Sequence, residues 1–374
     1  MEKTYVKILQ IGMTKNWGGL ETYLLQQFEN INKDLLIYDF VNNSCETDII
    51  KEKEILESKS KVYKICSRRK NPLKHYLQWI NLLRKHKNEY KGIVLNALSL
   101  SYVFPIFIAK IYGIPIRIIH SHNSGYEYRP GFLRKILITI NKSILNFSAT
   151  DYWACSQKAG EWMFGKNKNF KIIHNAIDTN SYKFDIIKRN NVRRELNLEH
   201  KFVVGHVGRF SYQKNHKFVI NIFYEVQKME DNAVLLLVGD TVDDESFFIE
   251  CKKLVKELKL DEKVKFLGMR SDVPDLMQAM DCFLFPSQFE GLGIVAIEAQ
   301  TAGLRCYLSD IIPEEVKITD LVNFISLNES PKTWADKILE NRNYKRKDMT
   351  EKIKANGYDI KTEIKKVEQF YLNN

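Results

Sequence analysis

The chain holds no D-x-D triplet, no C-x-x-C pair and no G-x-G-x-x-G run. The first absence removes a paired-carboxylate seat for a divalent cation. The second removes the spacing of a zinc site or a dithiol redox centre, and the third removes the dinucleotide fingerprint. The six cysteines, Cys45, Cys66, Cys155, Cys251, Cys282 and Cys306, are scattered, with no histidine at zinc spacing. Four sit among apolar or aromatic neighbours, as reduced buried thiols of a cytosolic protein do. A long apolar run is also missing. The region Ile93 to Ile119 is broken by Pro105, Lys110, Gly113 and Pro115, which reads as strand, helix and strand and not as a membrane span. The run Val6 to Ile11 leads straight into a glycine loop and does not read as a secretory signal.

What is present is an alternating α/β pattern. A length of 374 residues with 44% hydrophobic content allows two domains, each burying its own core. Strands are expected at Val6 to Ile11, Leu36 to Phe40, Gly92 to Leu95, Ile116 to His120, Asp151 to Ala154 and Lys171 to Ile173, with helices at Glu21 to Ile31, Pro72 to Lys87 and Phe132 to Phe147. After a polar stretch from Asp178 to His200, a second series begins. Its strands are Phe202 to Val207, Ala233 to Val238, Val264 to Leu267, Cys282 to Phe285 and Cys306 to Leu308. Its helices are Lys217 to Met229, Asp244 to Lys259, Val273 to Met280 and Ile294 to Ala302. Strands alternating with helices imply parallel sheets covered on both faces. The expected fold is two Rossmann-like, doubly wound α/β domains facing a cleft. The first spans 1–180, with the helix of 360–374 packing back on it, and the second spans 195–359. Ligands bind such sheets beyond the carboxyl ends of the strands, so site residues belong in loops that follow strands.

The strongest motif runs from Phe285 to Glu298. A strand enters a loop carrying Glu290, and Gly291, Leu292 and Gly293 lead into a helix that starts at Ile294 and carries Glu298. Unpaired N–H groups at a helix start, unobstructed by Cβ at the glycines, suit phosphate or sugar oxygens. Glu290 can accept from sugar hydroxyls, and Glu298, two turns further on, from a ribose diol. The second motif, Val207 to His216, sets Arg209 and Lys214 between a strand and a helix start, which favours a diphosphate. With no D-x-D, the leaving diphosphate falls to these cations and to helix N-termini, so no metal or other cofactor is expected. In the first half, Gly18 and Gly19 allow close backbone approach. His122, in His120-Ser-His122-Asn123, is placed to contact the transferred sugar, with a structural strand-end histidine as the alternative.

Net charge is +11, concentrated from Lys59 to Lys91. That stretch carries Lys59, Lys61, Lys64, Arg68, Arg69, Lys70, Lys74, Arg84, Lys85, Lys87 and Lys91 against Glu89 alone, interleaved with Tyr63, Tyr76, Trp79 and Tyr90. Such a surface can face anionic lipid, nucleic acid or solvent.

These residues resemble glycosyltransferase family 4, of the GT-B fold. Glu290 and Glu298 match its E-x7-E motif, and Val207-Gly-Arg209 with Lys214-Asn-His216 its G-R-x4-K-N stretch. Ile173-His-Asn-Ala-Ile-Asp178 is similar to the P-N-G-(I/V)-D segment, with His174 and Ala176 in place of proline and glycine. Gly18-Gly19 and His122 sit where the family has its glycine loop and sugar-contacting histidine. The resemblance implies a retaining transfer from a nucleotide diphosphate-sugar, most often a UDP-sugar, through an oxocarbenium-like transition state. Arg209 and Lys214 then hold the diphosphate, Glu298 the ribose, and Glu290 with the Gly291 to Ile294 amides the sugar. Base choice falls to Gly268 to Arg270. The expected acceptor is a glycan or a polyprenyl-diphosphate-linked sugar in surface polysaccharide synthesis. A cytoplasmic site follows, with the basic stretch and the Tyr126 to Phe147 region docking on the inner leaflet and no nucleic acid as partner. Competing readings are a GT-B sugar-nucleotide epimerase, a basic nucleic-acid-binding protein and a sugar-nucleotide sensor without turnover.

Overall fold

The computed structural model describes residues 5–126, 129–241 and 245–374. The chain forms two compact units, Met1–Ala176 with Ile360–Asn374, and Ile177–Asp359.

The first unit is built on seven parallel strands: β1 (Val6–Ile11), β2 (Leu36–Asn42), β3 (Val62–Lys64), β4 (Gly92–Ala97), β5 (Ile116–Ser121), β6 (Asp151–Ala154) and β7 (Lys171–Ile172). Their order is β3-β2-β1-β4-β5-β6-β7. Every residue of β2 and β4 is buried, because helices cover both faces of a parallel sheet and leave no solvent side. Helix boundaries follow local chemistry. Pro72–His86 starts where the Asn71 side chain accepts from Lys74 N at 2.9 Å, with proline in the first turn. The Ile360–Asn373 helix completes this core. Tyr371 is fully buried, its ring 5.8 Å from Trp153 and 6.3 Å from Tyr38.

The second unit repeats the plan with β8 (Phe202–Val207), β9 (Ala233–Val238), β10 (Val264–Phe266), β11 (Cys282–Phe285), β12 (Arg305–Ser309) and β13 (Val322–Ile325). The order is β10-β9-β8-β11-β12-β13, again parallel. Gly205 in β8 is required by packing, since a Cβ there would lie 2.0 Å from the Met280 sulfur. The polar stretch after Asp178 is not an extended linker. It forms helices Thr179–Tyr182 and Ile186–Glu195, whose first N–H groups are capped by the Asp178 and Asp185 carboxylates. Arg189 and Arg193 on the second of these bond the carbonyls of residues 278–280 and the Asp281 carboxylate. Those contacts fasten the helix by charge-assisted hydrogen bonds where apolar burial is scant. Of the six cysteines, five are buried and Cys45 is exposed. Asp244, expected to open a helix, lies outside the described residues; the helix runs Ser246–Glu257.

Each sheet reverses its winding once, between β1 and β4 in the first unit and between β8 and β11 in the second. Ligands of doubly wound sheets bind at this reversal.

Candidate active site

In the second unit the two strongest motifs follow β8 and β11, the strands that flank the reversal. Adjacency of these strands brings the motifs into contact. Lys214 Nζ donates to Glu290 Oε1 at 2.7 Å, and Gln213 Nε2 donates to Glu290 Oε2 at 3.2 Å and to Phe289 O at 2.9 Å. Gln288 N donates to Gln213 O at 2.8 Å, and Asn215 Nδ2 to Pro286 O at 3.1 Å. The β8 loop is thereby laced along the β11 loop. Glycines allow the close fit. Gly239 has φ +142°, and a Cβ there would meet Gly208 O at 2.1 Å. Gly208 in turn lies under the Lys214 stem, which a Cβ would approach to 3.0 Å.

Glu290 and Glu298 are 6% and 5% exposed, so both carboxylates need compensation. Lys214 supplies it to Glu290. Glu298, on the Ile294–Thr301 helix, is pushed up to about 7 by burial, while the bonded Tyr182 hydroxyl and the Lys214 charge pull it down. Gly293, at φ +89°, caps that helix with no side-chain hydrogen bond, leaving the amides at its start open to a ligand. Arg209 stands half-exposed just beyond β8, and among the described residues its guanidinium has no ion-pair or hydrogen-bond partner. The sequence placed Arg209 and Lys214 together. In the structure Lys214 is committed to Glu290, and Arg209 is the cation left available. After β10, Gly268 O accepts from Gly239 N at 2.9 Å, and Arg270 is tied to Asp272 at 2.7 and 2.5 Å.

The first unit sets neutral groups at its own reversal. Asn96, on β4, donates through Nδ2 to Gln10 Oε1 and to Ile11 O, each at 3.0 Å. Because the Ile11 carbonyl can only accept, Nδ2 must face it and Oδ1 must face away. His122 Nε2 lies 3.1 Å from that Oδ1 and therefore carries the proton, leaving Nδ1 as the lone-pair nitrogen. Burial holds the His122 imidazole down at about 3 and His120 well below its ordinary value, the neighbouring His122 adding to the latter. The two rings sit 4.0 Å apart, and Tyr23 contacts His122 at 4.9 Å. Tyr23 rides on the Gly19–Asn30 helix, so its glycine start and His122 belong to one neighbourhood. Gly18 caps that helix at φ −158°, a conformation open to any residue, so its glycine identity is not demanded by backbone strain.

Gln213, Tyr182, Gln10 and Asn96 escaped the sequence reading. Gln213 sits inside a recognised motif, and the Asp178 cap announces the short helix that carries Tyr182. Nothing local marks Gln10 or Asn96, because only the β1–β4 pairing joins them. Among the described residues no three His, Cys, Asp or Glu side chains are grouped as a metal would require, and no helix is long and apolar enough to cross a membrane.

The model of the family "Glycosyl transferases group 1" matches residues 188–359, the stretch that carries the Arg209, Lys214, Glu290 and Glu298 motifs. The chain is 26% identical over 378 residues to "Putative glycosyltransferase EpsF" of Bacillus subtilis strain 168, covering 97% of this chain and 96% of that one. It is 26% identical to the Escherichia coli "UDP-Gal:alpha-D-GlcNAc-diphosphoundecaprenol alpha-1,3-galactosyltransferase", covering 79% and 78%. Among solved structures, Anabaena HepE in complex with UDP and glucose superposes with a TM-score of 0.79 at 19% identity, over 99% and 100% of the two chains. WaaG, a glycosyltransferase involved in lipopolysaccharide biosynthesis, gives 0.73 at 16%, over 99% and 100%. The second unit, with its paired motifs at the sheet reversal, thus matches the group 1 glycosyltransferases over residues 188–359, the whole chain is similar to the glycosyltransferases named above, and its two parallel sheets have the GT-B fold of HepE and WaaG.

Proposed function

We propose that this enzyme transfers a hexose or N-acetylhexosamine from a UDP-sugar to a lipid-linked glycan acceptor in surface polysaccharide synthesis. One observation carries the reading. A buried Lys214–Glu290 pair, an unpaired Arg209 and an open helix start lie on the β8 and β11 loops that flank the sheet reversal. Arg209 takes the diphosphate first, since among the described residues it has no partner to leave. Lys214 then shares its charge between Glu290 and the β-phosphate. Glu298 accepts from the ribose diol, and Glu290 with the amides of Gly291 to Ile294 holds the sugar hydroxyls. The bond from the anomeric carbon to the β-phosphate oxygen breaks, and the acceptor oxygen bonds to the same face. The acceptor proton passes to the leaving β-phosphate, giving UDP. The named relatives support the donor and acceptor classes: one uses UDP-Gal and a diphosphoundecaprenol acceptor, and another is a capsular polysaccharide glycosyltransferase of Staphylococcus aureus.

The enzyme acts in the cytoplasm, resting on the inner leaflet. Part of the basic stretch is neutralised by acids from a neighbouring segment, with Lys64 on Asp48 and Glu52, and Lys70 on Glu46. What remains is joined by apolar exposure. The Phe132–Ser148 helix presents Phe132 at 77% and Leu133 at 80% beside Arg134 and Lys135, and Leu73 is 72% exposed on Pro72–His86. Apolar side chains flanked by cations suit an anionic bilayer surface. Residues 127 and 128 of the expected docking region lie outside the described residues. The match over residues 188–359 and the loops after β8 and β11 favour this reading over nucleic-acid binding, which explains the charge and leaves those loops unexplained.

The test is thermal stabilisation by UDP, GDP, ADP and CMP with EDTA present. A ligand at 100 times Kd adds about 2.7 kcal/mol. Stabilisation by UDP, lost in Arg209→Ala and Glu298→Ala, is expected; folded protein stabilised by none of the four would overturn the proposal. Sedimentation with phosphatidylglycerol vesicles at low salt tests the surface, and failure to sediment would remove it.

A further inference from the structure

Away from the reversal, the first unit holds a cavity of about 250 Å3 between the helices Pro72–His86, Phe104–Ile111 and Phe132–Ser148. Its walls include Tyr76, Tyr102, Phe107, Leu137 and Ile144, with Arg68 at the edge and no acidic residue in the lining. The loop around Ser101 gathers the three helices. Asn141 Nδ2 donates to Leu100 O at 2.7 Å, and His75 meets the Tyr102 hydroxyl at 2.6 Å. Two guanidinium groups converge on Ser101 from different segments. Arg68 Nη1 lies 3.5 Å from its carbonyl oxygen, and Arg134 Nε donates to its hydroxyl at 3.1 Å. Arg68 also lies over the Tyr102 ring at 4.9 Å. Neither arginine has a carboxylate partner among the described residues. Two like charges brought to one serine, with no counter-charge among the described residues, repel each other, and planar guanidinium forks match phosphate oxygens. The rim therefore asks for an anion and the walls for an apolar chain.

We propose that this cavity seats the carrier lipid of the acceptor: an isoprenoid chain against Tyr76, Phe107, Leu137 and Ile144, with its phosphate or diphosphate held by Arg68 and Arg134. The assignment rests on the lipid-linked acceptor proposed above and gives it a binding site. Nearby exposed residues, Leu73 and Leu77 on one helix and Phe132, Leu133 and Ile136 on another, cover the route a chain takes from a bilayer into the cavity. Aromatic walls suit an unsaturated branched chain, and the arginines distinguish a phosphorylated isoprenoid from its alcohol.

Titration calorimetry with farnesyl phosphate, farnesol and inorganic phosphate tests the site on the full-length protein. Farnesyl phosphate is expected to bind at least tenfold more tightly than either of the others. Arg68→Gln combined with Arg134→Gln weakens farnesyl phosphate tenfold or more and leaves farnesol unchanged, whereas Leu137→Trp, which fills the cavity, weakens both. The UDP-induced thermal shift persists in every variant and reports that each is folded. Farnesyl phosphate binding no tighter than inorganic phosphate, or indifferent to these substitutions, overturns the site. So does an equal loss of phosphatidylglycerol-vesicle sedimentation and farnesyl phosphate binding in Leu137→Trp, which would make the surface a general membrane contact. A parent protein unmoved by UDP that still binds farnesyl phosphate would break the donor reading and leave the cavity standing.

Discussion

The two sheet reversals share a strand order and differ in chemistry. Between β8 and β11 stand full charges: Arg209, Lys214, Glu290 and Glu298. Between β1 and β4 stand Gln10 and Asn96, with the neutral His122 at the end of β5. The strand order decides where a ligand sits, and the side chains on the following loops decide what it meets there. A charged reversal suits a diphosphate whose charge grows as it leaves; a neutral one suits uncharged hydroxyls.

The largest effect should come from breaking the charged side. Lys214→Ala removes the Glu290 partner and the proposed diphosphate donor at once, and a fall of ~10²–10³ in the transfer rate constant is expected. Single-turnover transfer from UDP-sugar measures it, and a loss under threefold would sink the assignment. Next comes the neutral side. Asn96→Ala strands the His122 Nε2 proton and removes two further hydrogen bonds, which should cost about 1–3 kcal/mol in denaturant unfolding. In ¹⁵N-histidine NMR the parent should show Nε2–H and bare Nδ1, and the variant a mixture of tautomers; an Nδ1–H parent would contradict the hydrogen-bond geometry.

The sequence disclosed both reversals unequally. The E-x7-E and G-R-x4-K-N spacings mark the charged side before any fold is known, because charged residues beside glycines after an apolar strand stand out. The contact between Lys214 and Glu290 was not legible, since it depends on β8 lying beside β11 with two strands intervening in chain order. On the neutral side only His122 and the glycines drew notice, and Gln10 and Asn96 read as polar interruptions in strands. The Ile186–Glu195 helix was hidden for a related reason. It buries arginine, not leucine, and its anchors Asp281 and the 278–280 carbonyls lie some ninety residues away. Short edge strands such as β3 and β13 left too brief an apolar signal.

The third prediction sets the two sides against each other in pH. Glu298 is raised from an ordinary 4.5 to about 7, so the folded state binds its proton more tightly. That contribution to stability is complete below about 4.5 and is lost as pH rises through 7. His122 is lowered from 6.5 to about 3, so its contribution is complete above 6.5 and is lost as pH falls toward 3. Glu298→Gln should therefore flatten the decline in denaturation midpoint between pH 4.5 and 7, and His122→Gln the acid-side decline below 6.5. Parallel pH curves for parent and either variant would show that the corresponding burial is not felt. The smallest effect belongs to Gly18→Ala, at a φ any residue adopts. Its stability should change by less than about 0.5 kcal/mol, so any larger rise in KM for UDP-sugar would report close ligand approach and not folding.

The return of the Ile360–Asn373 helix to the first unit has a consequence for synthesis. Tyr38 and Trp153 meet Tyr371 only after the whole of the intervening unit has been translated. Domains commonly fold in order from the N-terminus as they leave the ribosome. Here the first unit waits with aromatic surface uncovered until the helix arrives. The nascent chain is therefore most vulnerable to chaperone capture or aggregation through its first half, late in translation.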